Sequence, residues 1–350
     1  MKIGILLLFI SIQVAAQQTE NVILITMDGL RWQELFKGAD SLLVGDSGYV
    51  NDPEDLVDQY WNIDPLKRRE ILMPFFWKTI GTQGQVFGNR KYENKVNCKN
   101  QLWFSYPGYN EILTGYADDE RITSNDKINN PNVTILELVN NEDKYNGKVA
   151  AFASWDVFPY IINEERSGVP VNAGFDIEEN NPNDREILIN ELQSEVRSPW
   201  STVRLDPFTH HYAMEYLKKN KPNLMYISYG ETDDWAHGGK YDEYLFAATQ
   251  TDRYLEEIWS YLQSDSQYKD KTTLIITTDH GRGTHPKDSW RNHGSSVPNG
   301  GEIWIAMIGP EFKSEGEVLT PGQLYQDQVA ATIAKLLGVQ KQEKMGDSLY

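Results

Sequence analysis

The sequence predicts an α/β fold: a mostly parallel central sheet flanked by helices on both faces, with a loop or lid insertion. Three observations carry the prediction. Short β-branched runs alternate with helix-period segments along the chain. Three of those runs end in Asp or His, at the strand ends where open α/β sheets gather ligands. The 350 residues, 40% hydrophobic and 12% aromatic, are ample for one large core. Disorder and disulfide scaffolds are excluded by the same composition.

Taken in order, residues 1–16 read as a secretory signal. Lys2 precedes an apolar run ending in Val14, Ala15 and Ala16, with cleavage after Ala16. The run is too short to span a bilayer, so the expectation is a periplasmic or secreted protein without a membrane span after cleavage. Residues 17–350 are expected to form a single α/β domain. Strands are expected at 22–27, 149–154, 224–228, 273–278 and 303–308. Helices are expected at 74–81, 109–114, 134–140, 208–218, 241–263 and 323–337. Asp206 before Pro207 reads as the cap of the fourth helix. Residues 37–67 hold seven carboxylates between two lysines and read as an acidic surface insertion. Residues 168–183, rich in Asn, Gly and Pro, read as a surface loop.

The formal charge of −18, from 33 Lys+Arg against 51 Asp+Glu, argues against coating nucleic acid. It leaves room for a small phosphorylated substrate, because a bound metal supplies local positive charge. Cys98 is the only cysteine, so neither an internal disulfide nor a thiolate cluster is available.

The strand-end residues are metal-ligand types. The first strand runs into Asp28-Gly29, the third into Asp233 and His237, the fourth into Asp279-His280-Gly281, and His293 follows. Asp oxygens and neutral imidazoles suit zinc, and a pair of ions clamps both oxygens of an in-line displacement. Ser105, two residues before Pro107, offers a nucleophile at a helix N-terminus, where backbone N–H groups favour an anion. Of the remaining histidines, His285 is an alternative ligand to His293. Arg31, Arg282 and Arg291 adjoin the ligand motifs and are candidates for a phosphate contact or for structural ion pairs.

Together these segments resemble the alkaline phosphatase superfamily, nearest its nucleotide pyrophosphatase/phosphodiesterase branch. Asn21–Gly29 resembles the opening strand with its first metal Asp. Ser105-Tyr-Pro, with Thr114-Gly115 beyond, resembles the nucleophile segment. Asp233-x-x-Ala-His237, Asp279-His280-Gly281 and His293-Gly294 resemble the remaining metal motifs. The resemblance implies two divalent metal ions, zinc, one on Asp233, His237 and His293, the other on Asp28, Asp279 and His280 with Ser105 touching it. It also implies that Asn125 binds a phosphoryl oxygen, and Tyr106, next to the nucleophile, is assigned to the substrate. The implied activity is phosphate-ester hydrolysis, of diesters or monoesters, through a phosphoseryl intermediate. Thr232, Ala236, Gly108 and Tyr109 depart from the branch's usual Pro, Gly and Asn-His. A sulfatase-like sulfuric-ester hydrolase is one alternative, although Tyr109 stands where the sulfatase motif has Arg. A metal-retaining binding protein for phosphate ligands, without turnover, is the other.

Overall fold

The computed structural model describes residues 19–350, so the expected signal segment lies outside the described residues. In chain order the strands are β1 (Asn21–Met27), β2 (Gln85–Phe87), β3 (Asn94–Asn97), β4 (Val149–Ala153), β5 (Val171–Ala173), β6 (Leu224–Tyr229), β7 (Thr272–Thr277), β8 (Glu302–Ile303), β9 (Ile305–Ile308), β10 (Gly316–Glu317) and β11 (Gly322–Tyr325). The main sheet has the order β10-β2-β9-β7-β1-β6-β4-β5. From β7 to β5 every pairing is parallel, while β9 runs antiparallel to both β7 and β2. The expected mostly parallel α/β architecture is what the chain adopts.

Both faces of the sheet are covered, and β1 shows why its run is apolar from Val22 to Ile25. Ile23, Ile25 and Met27 join one core cluster, Val22 and Leu24 the other. A strand between two helical layers has no solvent face to make polar. The centre of the sheet is therefore rigid, and β6, β1 and β7, side by side, end at one edge.

Several elements differ from expectation. Residues 303–308 are two strands, broken at the buried Trp304, with β8 in a three-stranded sheet beside β3 and β9 in the main one. The helix expected at 323–337 begins only at Gln328, because Gly322–Tyr325 pairs with β3. Phe76–Ile80 is a π-helical turn followed by Gly81–Gln83. Asp206 caps nothing of its own helix, whose N-cap is Leu205. Its carboxylate accepts instead from the Gly230 and Glu231 N–H groups at 2.8 and 3.1 Å, at the head of the Glu231–His237 helix.

After α1 (Trp32–Lys37) the acidic segment is partly ordered into α2 (Pro53–Tyr60) and the start of α3 (Pro65–Leu72). Asp52 and Asp64 are their N-caps, accepting from Asp55 N and Leu66 N. Leu43, Val44, Val50, Leu56 and Tyr60 are buried in the core. The helix Asp184–Glu195, absent from the sequence reading, starts on a capping box of Asn183 and Glu186. No helix among the described residues is long and apolar enough to cross a membrane.

Candidate active site

Asp28 follows β1, the Glu231–His237 helix follows β6, and Asp279-His280 follows β7. The three adjacent parallel strands thus deliver their ligand motifs to one place, as the strand-end rule requires. His280 Nε2 lies 3.4 Å from Asp28 Oδ1, 3.4 Å from Asp279 Oδ2 and 3.7 Å from Asp233 Oδ1. His293 Nε2 is 3.7 Å from Asp233 Oδ1 and 2.9 Å from His237 Nε2, which in turn is 3.2 Å from Asp233 Oδ2. Two trios, Asp28–Asp279–His280 and Asp233–His280–His293, each bring one ligand atom within 4.8 Å of the others. His280 belongs to both, its ring stacked on His293 at 3.9 Å between centroids. His285 stays outside this cluster, exposed on a neighbouring cavity.

Each member of the first trio has one polar atom anchored and one left over. Asp28 Oδ2 accepts from the Tyr109 hydroxyl at 2.7 Å. Asp279 Oδ1 accepts from Gly29 N–H at 3.1 Å. His280 Nδ1 donates to the Gly281 carbonyl at 3.0 Å, which turns its Nε2 lone pair inward. The remaining atoms, Asp28 Oδ1, Asp279 Oδ2 and His280 Nε2, are buried with no hydrogen-bond partner among the described residues. Buried polar atoms are nearly always satisfied. Three orphans converging, two anionic oxygens and one neutral nitrogen, fit a divalent cation. His293 is prepared likewise: its Nδ1 donates to Trp103 O at 3.1 Å.

The electrostatics show what a cation would relieve, namely carboxylates crowded together and cut off from water. Burial, then the neighbouring Asp233 charge, raises the pKa of Asp28; burial, then Asp28, raises Asp279. Burial alone would raise Asp233 too, but the Arg282 guanidinium, then His237, holds it well below the usual carboxylate range. Burial, then His280, lowers His293, which favours the neutral imidazole that binds metals.

Ser105 is the first residue of the helix Ser105–Thr114, buried at its N-terminus. Gly108 explains how that helix reaches the ligands: a Cβ there would stand 2.4 Å from the Asp279 carbonyl oxygen. Asn125 lies on an exposed loop, its Oδ1 accepting from Tyr106 N–H at 3.0 Å. The Tyr106 side chain, assigned above to the substrate, turns away: it is 2% exposed and its hydroxyl donates to Ile128 O. What Tyr106 presents at the helix head is its backbone.

Tyr109 and Thr232 gain roles that sequence reasoning missed, while Arg282 takes the ion-pair role that was one of its two expected ones. Tyr109 anchors Asp28, and the Thr232 hydroxyl donates to the Asp28 carbonyl at 2.5 Å. Arg282 bonds Asp233 Oδ1 and donates to the carbonyls of Trp290 and Arg291, tying the His293 loop to the Asp233 helix. For Tyr109 and Thr232 the signal was their departure from the resembled motifs. Arg31 pairs with Glu34, and Arg291 reaches Asp288 and His237 O, so all three arginines are structural.

Residues 47–342 match the type I phosphodiesterase / nucleotide pyrophosphatase family. The chain belongs to that family. No curated protein sequence matches it. Among solved structures it is similar to the alkaline phosphatase PafA, with TM-score 0.59, 10% identity, and 95% of this chain covering 98% of that one. It is similar to a phosphonate monoester hydrolase from Silicibacter pomeroyi, with TM-score 0.57 and 14% identity over 94% of this chain and 76% of the other. A 2-O GAG sulfatase gives TM-score 0.55 and 12% identity over 95% and 73%. At such identities the likeness is one of fold. Family and fold together place this type I phosphodiesterase homologue in the alkaline phosphatase superfamily, as a phosphoric-ester hydrolase. Enzymes of that superfamily use divalent metals, and the two trios are this chain's candidate ligands.

Proposed function

We propose that the chain is a two-zinc phosphodiesterase with Ser105 as nucleophile. The observation that supports it most is the orphaned trio Asp28 Oδ1, Asp279 Oδ2 and His280 Nε2 on a strand edge against which Gly108 seats the Ser105 helix. Asp233, His237 and His293 would hold one ion, and Asp28, Asp279 and His280 the other with Ser105. Such ions neutralise charge on the phosphoryl oxygens and favour ionisation of a nearby hydroxyl.

The protein's own groups do the rest. Ser105 Oγ, giving its proton to water, attacks phosphorus in line as one ester oxygen leaves opposite as the alcohol. The phosphoseryl intermediate keeps the diester's other arm, and water then cleaves the Ser–O–P bond, returning the hydroxyl and releasing a phosphomonoester. At the helix head Pro107 has no N–H and Gly108 N–H is bonded to the Phe104 carbonyl, so the Ser105 N–H is the one left to face a phosphoryl oxygen. Tyr106 N–H holds Asn125 by its Oδ1, which leaves the Nδ2 group to donate to one of those oxygens. Diesters are preferred because a monoester's third oxygen needs a further cation. Arg282, Arg291, Arg121 and Lys127, by the motifs and the Asn125 loop, are each engaged by a carboxylate or carbonyl. Cleavage after Ala16 and export to the periplasm or medium complete the reading; the N-terminal sequence of the mature protein checks that part.

The test is a panel of bis-nitrophenyl phosphate, nitrophenyl phosphate and nitrophenyl sulfate, with elemental analysis for two zinc ions per chain. The diester should be turned over fastest. Folded Ser105→Ala retaining the full rate would overturn the nucleophile, and a preference for the sulfate would favour the sulfatase reading.

A further inference from the structure

We propose a second anion site, distinct from the metal cluster, that takes a protonated phosphate group in the cavity between α1, Arg68 of α3 and the 284–287 loop. The cavity measures about 240 Å3. Its walls carry four cations, Arg31, Lys37, Arg68 and Lys287, against the single carboxylate Asp40. That is an inversion of sign in a chain of formal charge −18.

The cations are not equivalent. Arg31 is neutralised by Glu34 and Lys287 by Asp46. Lys37, half-buried, has no carboxylate within ion-pair distance among the described residues, and its ammonium lies 4.3 Å over the Trp32 ring. Arg68 is buried and also lacks a carboxylate; its Nε and Nη1 donate to the Lys37 and Asn62 carbonyls, both at 2.7 Å. Glu34 and Asp40 lie near Lys37, and Asp40 and Asp64 near Arg68, but none closes an ion pair with either. Two partly desolvated cations without a direct partner are costly, and an anion in the cavity offsets that cost.

A second, independent feature says which anion. Gln33 is 91% buried, its Nε2 donates to Thr284 Oγ1 at 2.9 Å, and its Oε1 has no partner among the described residues. An acceptor beside cations calls for a ligand that is anionic yet carries an O–H. Hydrogen phosphate has both; sulfate at neutral pH lacks the proton and leaves Oε1 unpaired. The site neighbours the catalytic one through the chain: Arg31 comes three residues after Asp28, and Thr284 four after His280. The phosphate is either free inorganic phosphate or the monoester terminus of a substrate's second arm.

Calorimetric titration of the full-length protein with inorganic phosphate tests the site. Lys37→Met should bind one phosphate fewer than wild type, and Lys37→Arg should bind as many. At this site wild type should prefer phosphate over sulfate by about tenfold, a preference that Gln33→Met loses. Equal stoichiometry and affinity in wild type and folded Lys37→Met would overturn the proposal. Heat is read without turnover, so a protein inactive on every ester but still losing a phosphate on Lys37→Met upholds this site while the hydrolase reading fails. The source follows from KM on nitrophenyl diesters whose second arm is uncharged or ends in a phosphomonoester. A rise of about tenfold in Lys37→Met confined to the second substrate assigns the site to a substrate arm. Unchanged KM, with the calorimetric loss, assigns it to free phosphate.

Discussion

The Tyr109 hydroxyl donates to Asp28 Oδ2 at 2.7 Å, so the helix that carries Ser105 also grips the carboxylate after β1. The bond leaves Asp28 Oδ1 as the oxygen without a partner. Tyr109→Phe removes one buried hydrogen bond, which costs about 1 kcal/mol of stability. Its larger expected effect is a ten- to hundredfold weaker hold on the metal, the usual scale for partners of metal ligands. Chelator titration of metal content reads this directly; unchanged retention would show that the bond is merely structural.

Arg282 joins Asp233 to the carbonyls of Trp290 and Arg291. Lysine keeps the charge but cannot fork to three acceptors. Arg282→Lys should therefore lower diester turnover by about tenfold or more while the fold survives by circular dichroism. Wild-type turnover in the variant would reduce Arg282 to a source of charge.

Gly108 has no room for a methyl group, since its Cβ would meet the Asp279 carbonyl oxygen at 2.4 Å. Gly108→Ala forces the Ser105 helix off the β7 edge, with a cost of about 1–3 kcal/mol. Urea unfolding measures the loss, and the rate should fall with it because Ser105 moves with the helix. Stability within about 0.5 kcal/mol of wild type, the scale of a neutral surface substitution, would contradict the close seating.

Asp252 accepts from the Phe75 and Phe76 N–H groups at 2.8 and 2.7 Å, and burial pushes its pKa up to about 7. The unfolded value is about 4. A raised carboxyl favours the folded state while protonated, so this contribution is complete below about pH 4 and is lost as pH climbs through about 7. Asp252→Asn does not titrate. The stability of wild type relative to Asp252→Asn should decline by on the order of 2–4 kcal/mol between about pH 4 and pH 8. Parallel urea-denaturation curves across that range would refute the shift.

The sheet was legible because β1, β6 and β7 are short runs rich in apolar and β-branched residues, and the ligand edge because each run leads into Asp or His. What escaped did so for identifiable reasons. β2, β5 and β10 have two or three residues each, too few to show a period. The pairs Asp52-Pro53 and Asp64-Pro65 carry the same cap-plus-proline signature that was credited at Asp206-Pro207. It held at the first two and failed at the third, where the carboxylate is recruited across space by Gly230 and Glu231. Local spacing cannot reveal such a contact, nor those of Tyr109 and Arg282, whose partners lie 81 and 49 residues away.

The position of β1 between β6 and β7 has one more consequence. Ligands hung on the middle of a sheet can be disturbed only by opening the whole domain, so their arrangement shares its global stability. Asn125 sits on an exposed loop, where opening is local and cheap. On the substrate role proposed for Asn125, altering that loop reshapes what the enzyme accepts while the metal-binding edge is inherited intact.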